Sequence, residues 1–314
     1  MSTQITAAFV KQFGSNIYTL AQQKGSRLRS AVRLETVVGD SAFFDRIGSV
    51  TAQQKLSRHS DTPQSDTPHS RRMVVMSDYE WADYIDKEDK LKTLIDPTNP
   101  YVQAGMWALG RSIDDVLIAA LLGTAATGVA GAGTASLANA NKVAAHDGTT
   151  TTGVNLNVRT LRAVKKYFDA SDIDESIPRY MAITSSQLQS LLAETQVTSS
   201  DYNSIKALVQ GELNTFMGFN FIRTERLGVA SSNVTYTVTN GVVGAGTGTA
   251  TAAAARRCIA WCGDGAVLAL GADITAKVSE RADKSYLKQA YASMSIGAVR
   301  MEEAKVCEVI CAEV

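Results

Sequence analysis

Apolar residues recur at helical spacing between Pro100 and Leu122, and this pattern predicts one long amphipathic helix. Six of them fall on one stripe: Val102, Met106, Leu109, Ile113, Leu117 and Leu121. Thr98 or Asn99 can cap the helix with Pro100 at its first position, and Gly123 ends it. At 1.5 Å per residue such a helix is about 35 Å long, which makes it a stiff element for a globular protein.

A polar segment without core residues precedes this helix. Residues 57–72 read SRHSDTPQSDTPHSRR. Before this segment, Phe43, Phe44 and Ile47 anchor an extended stretch, and at its end Arg71–Met76 is again extended. Two extended limbs joined by a proline-containing tip predict a long two-stranded arm. Such an arm is marginally stable alone and is expected to settle on a partner.

Two further helices are predicted in the first hundred residues. Residues 3–24 carry apolar residues at helical spacing, and Gly25 ends the pattern. These apolar residues are Phe9, Phe13, Ile17 and Leu20. Ser77-x-x-Glu80 matches a capping box and predicts a helix over the residues that follow it.

Two segments rich in Gly, Ala and Thr are predicted to be loops, because they have almost no large side chains to bury. They cover residues 123–153 and 240–255. Gly128-x-x-Gly131-x-Gly133 in the first segment superficially matches a phosphate-binding loop. The order of its glycines differs from the dinucleotide fingerprint and no strand precedes it, so nucleotide binding is not favoured.

The second half alternates helices and strands and indicates an α+β fold. Helices are predicted after Asn155 or Asn157, after Thr184, over Tyr202–Leu213 and over Ala266–Leu270. Strands are predicted over residues 179–184, 218–224, 234–238, 256–261, 274–281 and 301–314.

The composition is that of a globular protein, with 314 residues, 45% hydrophobic and 20% charged. No apolar run is long enough to cross a bilayer, and the first residues lack a signal-peptide pattern, so folding in the cytoplasm is expected. The four cysteines form two Cys-x-x-x-Cys pairs, Cys258/Cys262 and Cys307/Cys311. Small buried hydrophobes in a reducing compartment are the favoured interpretation, and a metal site or a cross-link is the alternative.

Charge is unevenly distributed although the formal net charge is zero. Residues 1–72 carry an excess of Lys and Arg, whereas residues 78–96 carry an excess of Asp and Glu. A basic arm can bind nucleic acid. Complementary patches that bind copies of the chain to one another explain both halves at once, and this interpretation is favoured.

The residues show no catalytic constellation. No nucleophile elbow or P-loop is present, and His59, His69 and His146 lie in polar sequence away from any nucleophile. The carboxylates of Asp83, Asp86 and Asp89, or the pair Asp114-Asp115, could hold a divalent cation, but solvated or interface faces are the favoured interpretation. The sequence therefore predicts no enzyme activity, no cofactor and no metal.

Three stretches together are similar to a known family. LRAVKKYFDASDID with IPRYMAITSSQLQSLLAE looks like its helix, buried strand and short helix, and YNSIKALVQGELNTFMGFNFIRTERL looks like the piece that follows. The stretch from SDTPHSRRMVVMSDYEWADYIDKEDKL to DPTNPYVQAGMWALGRSIDDVLIAALLG looks like the return limb of an arm followed by a spine helix. The chain resembles the major capsid proteins of tailed bacteriophages, which have the Hong Kong 97-type fold.

The resemblance implies an α+β subunit with an N-terminal arm, an extended β-ribbon called the E-loop, a long spine helix, and peripheral and axial domains. The implied boundaries are 1–35 for the arm, 36–77 for the E-loop, 78–180 for the peripheral domain with the spine helix at 100–122, 181–280 for the axial domain, and 281–314 for a return to the peripheral domain.

The implied function is a coat protein that assembles as pentamers and hexamers into an icosahedral shell around double-stranded DNA. Its partners would be itself, a separate scaffolding protein, a portal and a decoration protein. DNA would be enclosed without sequence-specific binding, and no membrane would be involved. The resemblance implies a place in the virion, with assembly in the host cytoplasm.

We expect the basic arm to bind an acidic patch of an adjacent copy. The expected interface residues are Arg58, Arg71, Arg72, Trp81, Asp83, Asp86, Glu88 and Asp89. The alternative is that these charges only keep the arm soluble. Two alternatives for the whole protein stay open: an encapsulin-like compartment with a protein cargo, and an α/β enzyme or DNA-binding protein with an unrecognised site.

Overall fold

A computed structural model describes residues 21–55, 57–58, 61, 64–85, 98–145, 154–194, 215–230, 235–239, 242–249 and 255–313. Its α-helices are α1 (Thr98–Leu122), α2 (Val158–Ala170) and α3 (Ser185–Ala193). Its first strands are β1 (Arg33–Thr36), β2 (Ser41–Ile47), β3 (His69–Val75), β4 (Ser77–Ile85), β5 (Ala125–Thr127), β6 (Gly133–Ala135), β7 (Lys142–Ala144), β8 (Arg179–Ile183), β9 (Thr215–Phe216) and β10 (Phe219–Arg223). The later strands are β11 (Val229–Ala230), β12 (Thr235–Thr239), β13 (Val242–Thr249), β14 (Ala255–Cys262), β15 (Ala266–Arg281), β16 (Leu287–Arg300) and β17 (Val306–Ala312).

The larger of two compact units comprises the described residues within 27–77, 113–271 and 296–314. Its centre is a seven-stranded mixed sheet in the order β7-β17-β14-β8-β10-β9, with β11 paired to β14. Strands β14 and β17 are almost wholly buried because both of their faces are covered, which matches their nearly continuous apolar sequences. The indole nitrogen of Trp261 donates a 2.9 Å hydrogen bond to the carbonyl oxygen of Ala31.

The same unit contains a second sheet, in the order β2-β3-β5-β6. Strands β2 and β3 pair antiparallel along their whole length, from Ser41 opposite Val75 to Ile47 opposite His69. The two predicted limbs of the arm are therefore confirmed as a β-ribbon.

The smaller unit comprises the described residues within 1–26, 78–112 and 272–295. It contains most of β4, the first part of α1 and the outer parts of β15 and β16. In this unit the hydroxyl group of Tyr291 lies 3.3 Å from the Glu80 carboxylate.

Helix α1 confirms the prediction for residues 100–122 and begins two residues earlier, at Thr98. The apolar stripe is buried along its later turns, at Leu109, Ile113, Leu117 and Leu121. Helix α2 also follows its sequence signals. Asn157 is its N-cap and accepts a 2.8 Å hydrogen bond from the backbone N–H of Thr160.

The helix predicted after Ser77 is wrong, because residues 77–85 form strand β4. The more buried residues of β4 recur at every second position, Tyr79, Trp81, Asp83 and Ile85, which is the period of a strand. Residues 266–270 are likewise the start of the 16-residue strand β15 rather than a short helix.

The prediction of structureless loops is wrong for the described parts of both Gly/Ala/Thr-rich segments. Residues 125–144 contain strands β5, β6 and β7, and residues 242–249 form β13, which pairs with β12. Small side chains still fill a core when neighbouring strands supply the bulk, as at Ala125, which is 4% exposed. The helices predicted over residues 3–24 and 202–213 lie outside the described residues, except for residues 21–24, which are not helical. No described helix has the length and hydropathy needed to cross a membrane.

Candidate self-assembly surface

The ribbon of β2 and β3 ends in a tip that covers residues 48–68. The backbone N–H of Gly48 donates a 2.8 Å hydrogen bond to the carbonyl oxygen of Pro68, which closes the ribbon at the base of the tip. Every described tip residue is exposed, including Arg58. The described residues of the tip are therefore available to another molecule.

The outer face of the ribbon exposes several large apolar side chains. Phe43, Ile47 and Val75 are 42%, 70% and 52% exposed. Large exposed apolar side chains grouped on one face are typical of an interaction surface. Strand β2 alternates between exposed and half-buried residues, which places Phe43, Asp45 and Ile47 on this face together.

One ion pair crosses this outer face. The Nε of Arg71 lies 2.5 Å from Oδ1 of Asp45, which stands directly opposite it in the register. The Arg71 guanidinium also lies 5.6 Å from the centre of the Phe43 ring, within cation–π range. The hydrogen bond from Arg71 holds the pKa of Asp45 below its ordinary value, so this carboxylate stays ionised at neutral pH.

The inner face of the ribbon fixes its base to the larger unit. Val74 and Met76 are buried with Ala125, Ala269 and other residues of one apolar cluster. Ala42 and Phe44 of β2 pack against the same cluster. Because the base is packed and the tip is exposed, the ribbon is an arm with a firm attachment.

A cluster of three arginines around one glutamate strengthens this attachment. Arg72 is 2% exposed; its Nη2 donates to Oε1 of Glu303, and its Nε donates to the carbonyl oxygen of Met301 at 3.3 Å. Arg46 donates to the same carbonyl oxygen and lies 3.8 Å from the Glu303 carboxylate. Arg300 is fully buried and lies 3.7 Å from it. Burial lowers the pKa of Arg72 and of Arg300, and the charge of Glu303 opposes this shift.

The structure therefore places the three basic interface candidates in different environments. Arg58 is exposed at the tip. Arg71 is half-buried and paired with Asp45. Arg72 belongs to the interior of its own subunit and is not available to an adjacent copy, because its guanidinium is buried against Glu303. The sequence prediction is corrected for this residue.

The acidic candidates are described only in part. Asp83 is half-buried on β4, and its Oδ1 accepts a 2.8 Å hydrogen bond from the backbone N–H of Tyr84. Trp81 lies against helix α1, since a Cβ added to Gly105 would meet its ring at 2.3 Å. The ring thus packs within its own subunit, and Trp81 as a whole is half-buried. Asp86, Glu88 and Asp89 lie outside the described residues.

The pair Asp114-Asp115 has structural partners. Both carboxylate oxygens of the fully buried Asp114 accept hydrogen bonds of 3.1 Å from the backbone N–H of Arg27, and one accepts from Leu28 at 3.1 Å. Asp115 accepts a 2.6 Å hydrogen bond from Arg226. Among the described residues, no three His, Cys, Asp or Glu side chains lie in a metal-binding arrangement.

All four cysteines are buried, unbonded thiols on neighbouring strands. The register pairs Arg256 with Cys311 and Ala260 with Cys307, so the four thiols share one face of the sheet. Burial raises the pKa of Cys262 to about 11 and raises that of Cys307 further. The hydrogen bond that the Cys311 thiol donates to Cys258, together with burial, raises the pKa of Cys311.

The other sequence features have structural roles where they are described. Gly128 and Gly131 adopt positive φ in the turn between β5 and β6, and a Cβ at Gly131 would lie 2.3 Å from the Met73 sulfur. This geometry is a hairpin turn packed on the ribbon rather than a phosphate loop. His69 begins β3, whereas His59 and His146 lie outside the described residues.

Sequence reasoning missed Asp45 and Glu303 as partners of the arm arginines. The signal that could have placed Asp45 on the outer face is the two-residue alternation of side chains along residues 41–47. Nothing in the sequence connects Glu303 with Arg72, because 231 residues separate them.

Comparisons with known proteins agree with this architecture. The family model described as phage capsid protein matches residues 5–313. Among proteins with curated descriptions, none is significantly similar in sequence.

Several solved capsids have the same fold. The capsid of cyanophage P-SCSP1u superimposes with a TM-score of 0.72 at 16% identity, covering 100% of this chain and 96% of that one. The head protein of Helicobacter pylori bacteriophage KHP40 gives a TM-score of 0.71 at 12% identity, covering 100% and 99%. The cyanophage Pam1 capsid gives 0.70 at 13% identity, covering 98% and 97%.

Proposed function

The chain belongs to the phage capsid protein family, and from this we propose that it is a major capsid protein that assembles as pentamers and hexamers into an icosahedral shell around double-stranded DNA. The observation that carries the proposal is the ribbon of β2 and β3, which has a packed base, large apolar side chains exposed on its outer face and exposed described residues in its tip. A single subunit leaves this surface uncovered.

In this proposal the tip and outer face of the ribbon bind an adjacent copy. Phe43 and Ile47 supply apolar area, and Arg58 supplies a charge for the acidic segment of the neighbour, at Asp83, Asp86, Glu88 or Asp89. Arg71 reaches such a carboxylate only by leaving Asp45. Each contact is modest in energy, because exposed ion pairs contribute little singly, and the shell is held by many repeats of it.

The wider partners follow from the same proposal. A separate scaffolding protein, a portal and a decoration protein are expected, and assembly is expected in the host cytoplasm before the protein becomes part of the virion. Membership of the phage capsid protein family supports a structural protein instead of an enzyme. DNA is enclosed without reading of its sequence.

Replacing the tip tests the proposal directly. In one variant residues 49–67 are replaced by Asn-Gly, with Pro68→Thr to supply the N–H that a two-residue hairpin turn donates to the Gly48 carbonyl oxygen. Because the tip is exposed and its base hydrogen bond is kept, the isolated subunit should retain its melting temperature. Particles seen by electron microscopy and by sedimentation should be lost. Normal particles from this variant would overturn the role of the tip.

A second variant carries a Gly/Ser segment of the same length in place of residues 49–67. Loss of particles from this variant too shows that assembly needs tip side chains such as Arg58. Normal particles show that assembly needs only the length of the tip. The contents of wild-type particles separate phage shells from encapsulin-like compartments, since the first hold DNA and the second a protein cargo. A wild-type chain that stays monomeric at all salt concentrations contradicts the proposed function itself.

A further inference from the structure

Helix α2 has a strongly basic solvent face. Arg159, Arg162 and Lys166 are exposed and Lys165 is half-buried, whereas the apolar residues of the helix are buried on the opposite side. Arg162, Lys165 and Lys166 lie within about one turn and repel one another, which disfavours the helix unless an anion lies nearby. The first turn contains no acidic residue to offset them.

The turn that follows α2 is strongly acidic. Asp172, Asp174 and Glu175 are all exposed there. A hydrogen bond from the backbone N–H of Ser176 lowers the pKa of Asp174, so its charge is secure at neutral pH. Asp169 lies between the two charged groups and is paired with Arg179 at 2.8 Å. The opposite charges are therefore segregated, with cations along the helix and anions beyond its end.

Within one subunit Arg162 lies far from the acidic turn. It is about 12 Å along the helix axis from Ala170, the last residue of α2, and Asp172 lies beyond that end. The Debye length at physiological ionic strength is about 8 Å, so their mutual attraction is largely screened. The basic face and the acidic turn are thus complementary without satisfying each other.

We propose that Arg162, Lys165 and Lys166 on the basic face of α2 bind the acidic turn of an adjacent copy, formed by Asp172, Asp174 and Glu175. The two patches are different, so the contact is heterologous and repeats head to tail, which closes a ring when the rotation between copies permits. This inference rests on the proposed function and assigns one contact within a pentamer or hexamer.

DNA fits the basic face less well than a second copy does. The acidic turn directly beside the face would repel phosphates, and the charges of residues 158–175 other than the Asp169–Arg179 pair are nearly balanced. A second copy matches both signs at once. The contact also steers assembly, because complementary potentials favour one orientation of approach.

The backbone at Asp172 supports a role for its carboxylate. Asp172 has a positive φ of 51°, a conformation in which Gly is the least strained residue. Asp172→Gly should therefore raise the melting temperature of the isolated subunit slightly while weakening assembly. A residue that only ended the helix would not show these opposite effects.

A charge-swap series tests the contact. Arg162→Glu with Lys166→Glu should reduce particle yield about tenfold or more, because like charges then face each other. Asp174→Lys with Glu175→Lys should do the same. All four substitutions in one chain restore opposite signs and should recover particles. Lys277→Glu with Lys284→Glu is the matched control, since both lysines are exposed and lie elsewhere.

Each outcome decides the proposal. Rescue by the fourfold variant, with unaltered melting of every isolated subunit, supports it, as does weaker assembly of wild type at about 0.5 M NaCl, where charges are screened. Particles from either double variant at wild-type yield overturn it. If the variant Arg162→Glu with Lys166→Glu forms particles without DNA, and the fourfold variant does not restore their DNA content, DNA is the partner instead. The proposed function fails separately, by the absence of particles from wild type.

Discussion

Gly110 is a residue at which helix α1 and the segment before β1 approach closely in the smaller unit. A Cβ at this position would lie 2.6 Å from the Cα of Gly25 and 2.9 Å from the backbone nitrogen of Ser26. Beside it, the Nη1 of Arg111 donates hydrogen bonds to the Gln22 side chain at 3.0 Å and to the Gln23 carbonyl oxygen at 3.1 Å. The absent side chain is therefore what lets two backbones meet.

Gly110→Ala should lower the free energy of unfolding by about 1–3 kcal/mol, the usual cost of overpacking. Alanine gains about 1 kcal/mol of helix propensity, but the clash is with backbone that cannot move aside cheaply. Urea denaturation measures the difference. Gly228→Ala is the matched control, because no atom lies within 4 Å of its added Cβ, and it should be neutral. Equal stability of the two variants contradicts this close packing.

The buried thiols should be inert in the native protein. With the pKa of Cys262 at about 11, about one thiol in a thousand is ionised at pH 8, and the thiolate is the reactive form. A colorimetric disulfide reagent should find no reactive thiol in the folded chain and all four after unfolding in urea. Rapid reaction of any native thiol would favour the alternative of a reactive or metal-binding site.

At the scale of elements, the ribbon is held by one apolar cluster and one charged cluster. The charged cluster has an excess of cations, since Arg46, Arg72 and Arg300 share Glu303. Arg300 also donates to the carbonyl oxygens of Leu121 and Gly123, each at 2.8 Å. It thereby satisfies the negative end of helix α1.

Glu303→Gln should destabilise the subunit by about 2–4 kcal/mol, because it leaves two buried guanidinium groups without a counter-charge. Thermal and urea unfolding measure this loss. Glu302→Gln is the neighbouring control. The Glu302 side chain is 49% exposed and lies 3.3 Å from the Lys305 ammonium, so the loss of its charge should cost under about 0.5 kcal/mol. Similar effects from the two substitutions would contradict the central role of Glu303.

For the whole molecule, zero net charge conceals strong local charge. Pairs such as Arg71–Asp45 and Arg281–Asp283 lie on the surface of a single subunit. On helix α2 the exposed cations Arg162 and Lys166 precede an acidic turn formed by Asp172, Asp174 and Glu175. A neutral subunit with segregated charge avoids long-range self-repulsion and still offers complementary patches.

Acid should destabilise the isolated subunit in a defined window. Hydrogen bonds from Arg281 lower the pKa of Asp283 from 3.8 to about 2, and the pKa of Asp45 is lowered by Arg71. Between pH 2 and pH 3.8 the unfolded chain binds more protons than the folded one, so the free energy of unfolding rises with pH. The contribution is fully present above pH 3.8 and is lost as the pH falls toward 2.

Melting temperatures recorded from pH 6 to pH 2 check this direction. Asp283→Asn should remove part of the acid-dependent loss while lowering the melting temperature at pH 6. Asp78→Asn, at an exposed carboxylate of β4, is the control and should leave the profile as it is. A profile for Asp283→Asn that coincides with wild type would show that this pair is too weakly coupled to folding.

The sequence by itself determined the elements with strong local signals. The stripe from Leu109 to Leu121, the cap at Asn157 and the two extended limbs around a polar tip each depend on residues close together in the chain. Residues 77–85 were misassigned because a capping-box pattern outweighed a strand alternation. The 14-residue strand β16 went unpredicted.

Only the tertiary structure decided which charges are available to another molecule. Arg71 and Arg72 are adjacent in sequence, yet one lies on the outer face of the ribbon and the other is buried against Glu303. Successive residues of a strand point to opposite faces, and which face is covered depends on segments more than two hundred residues away. Local sequence determines the alternation of side chains along a strand, whereas long-range packing determines which face of the strand remains exposed to an adjacent copy.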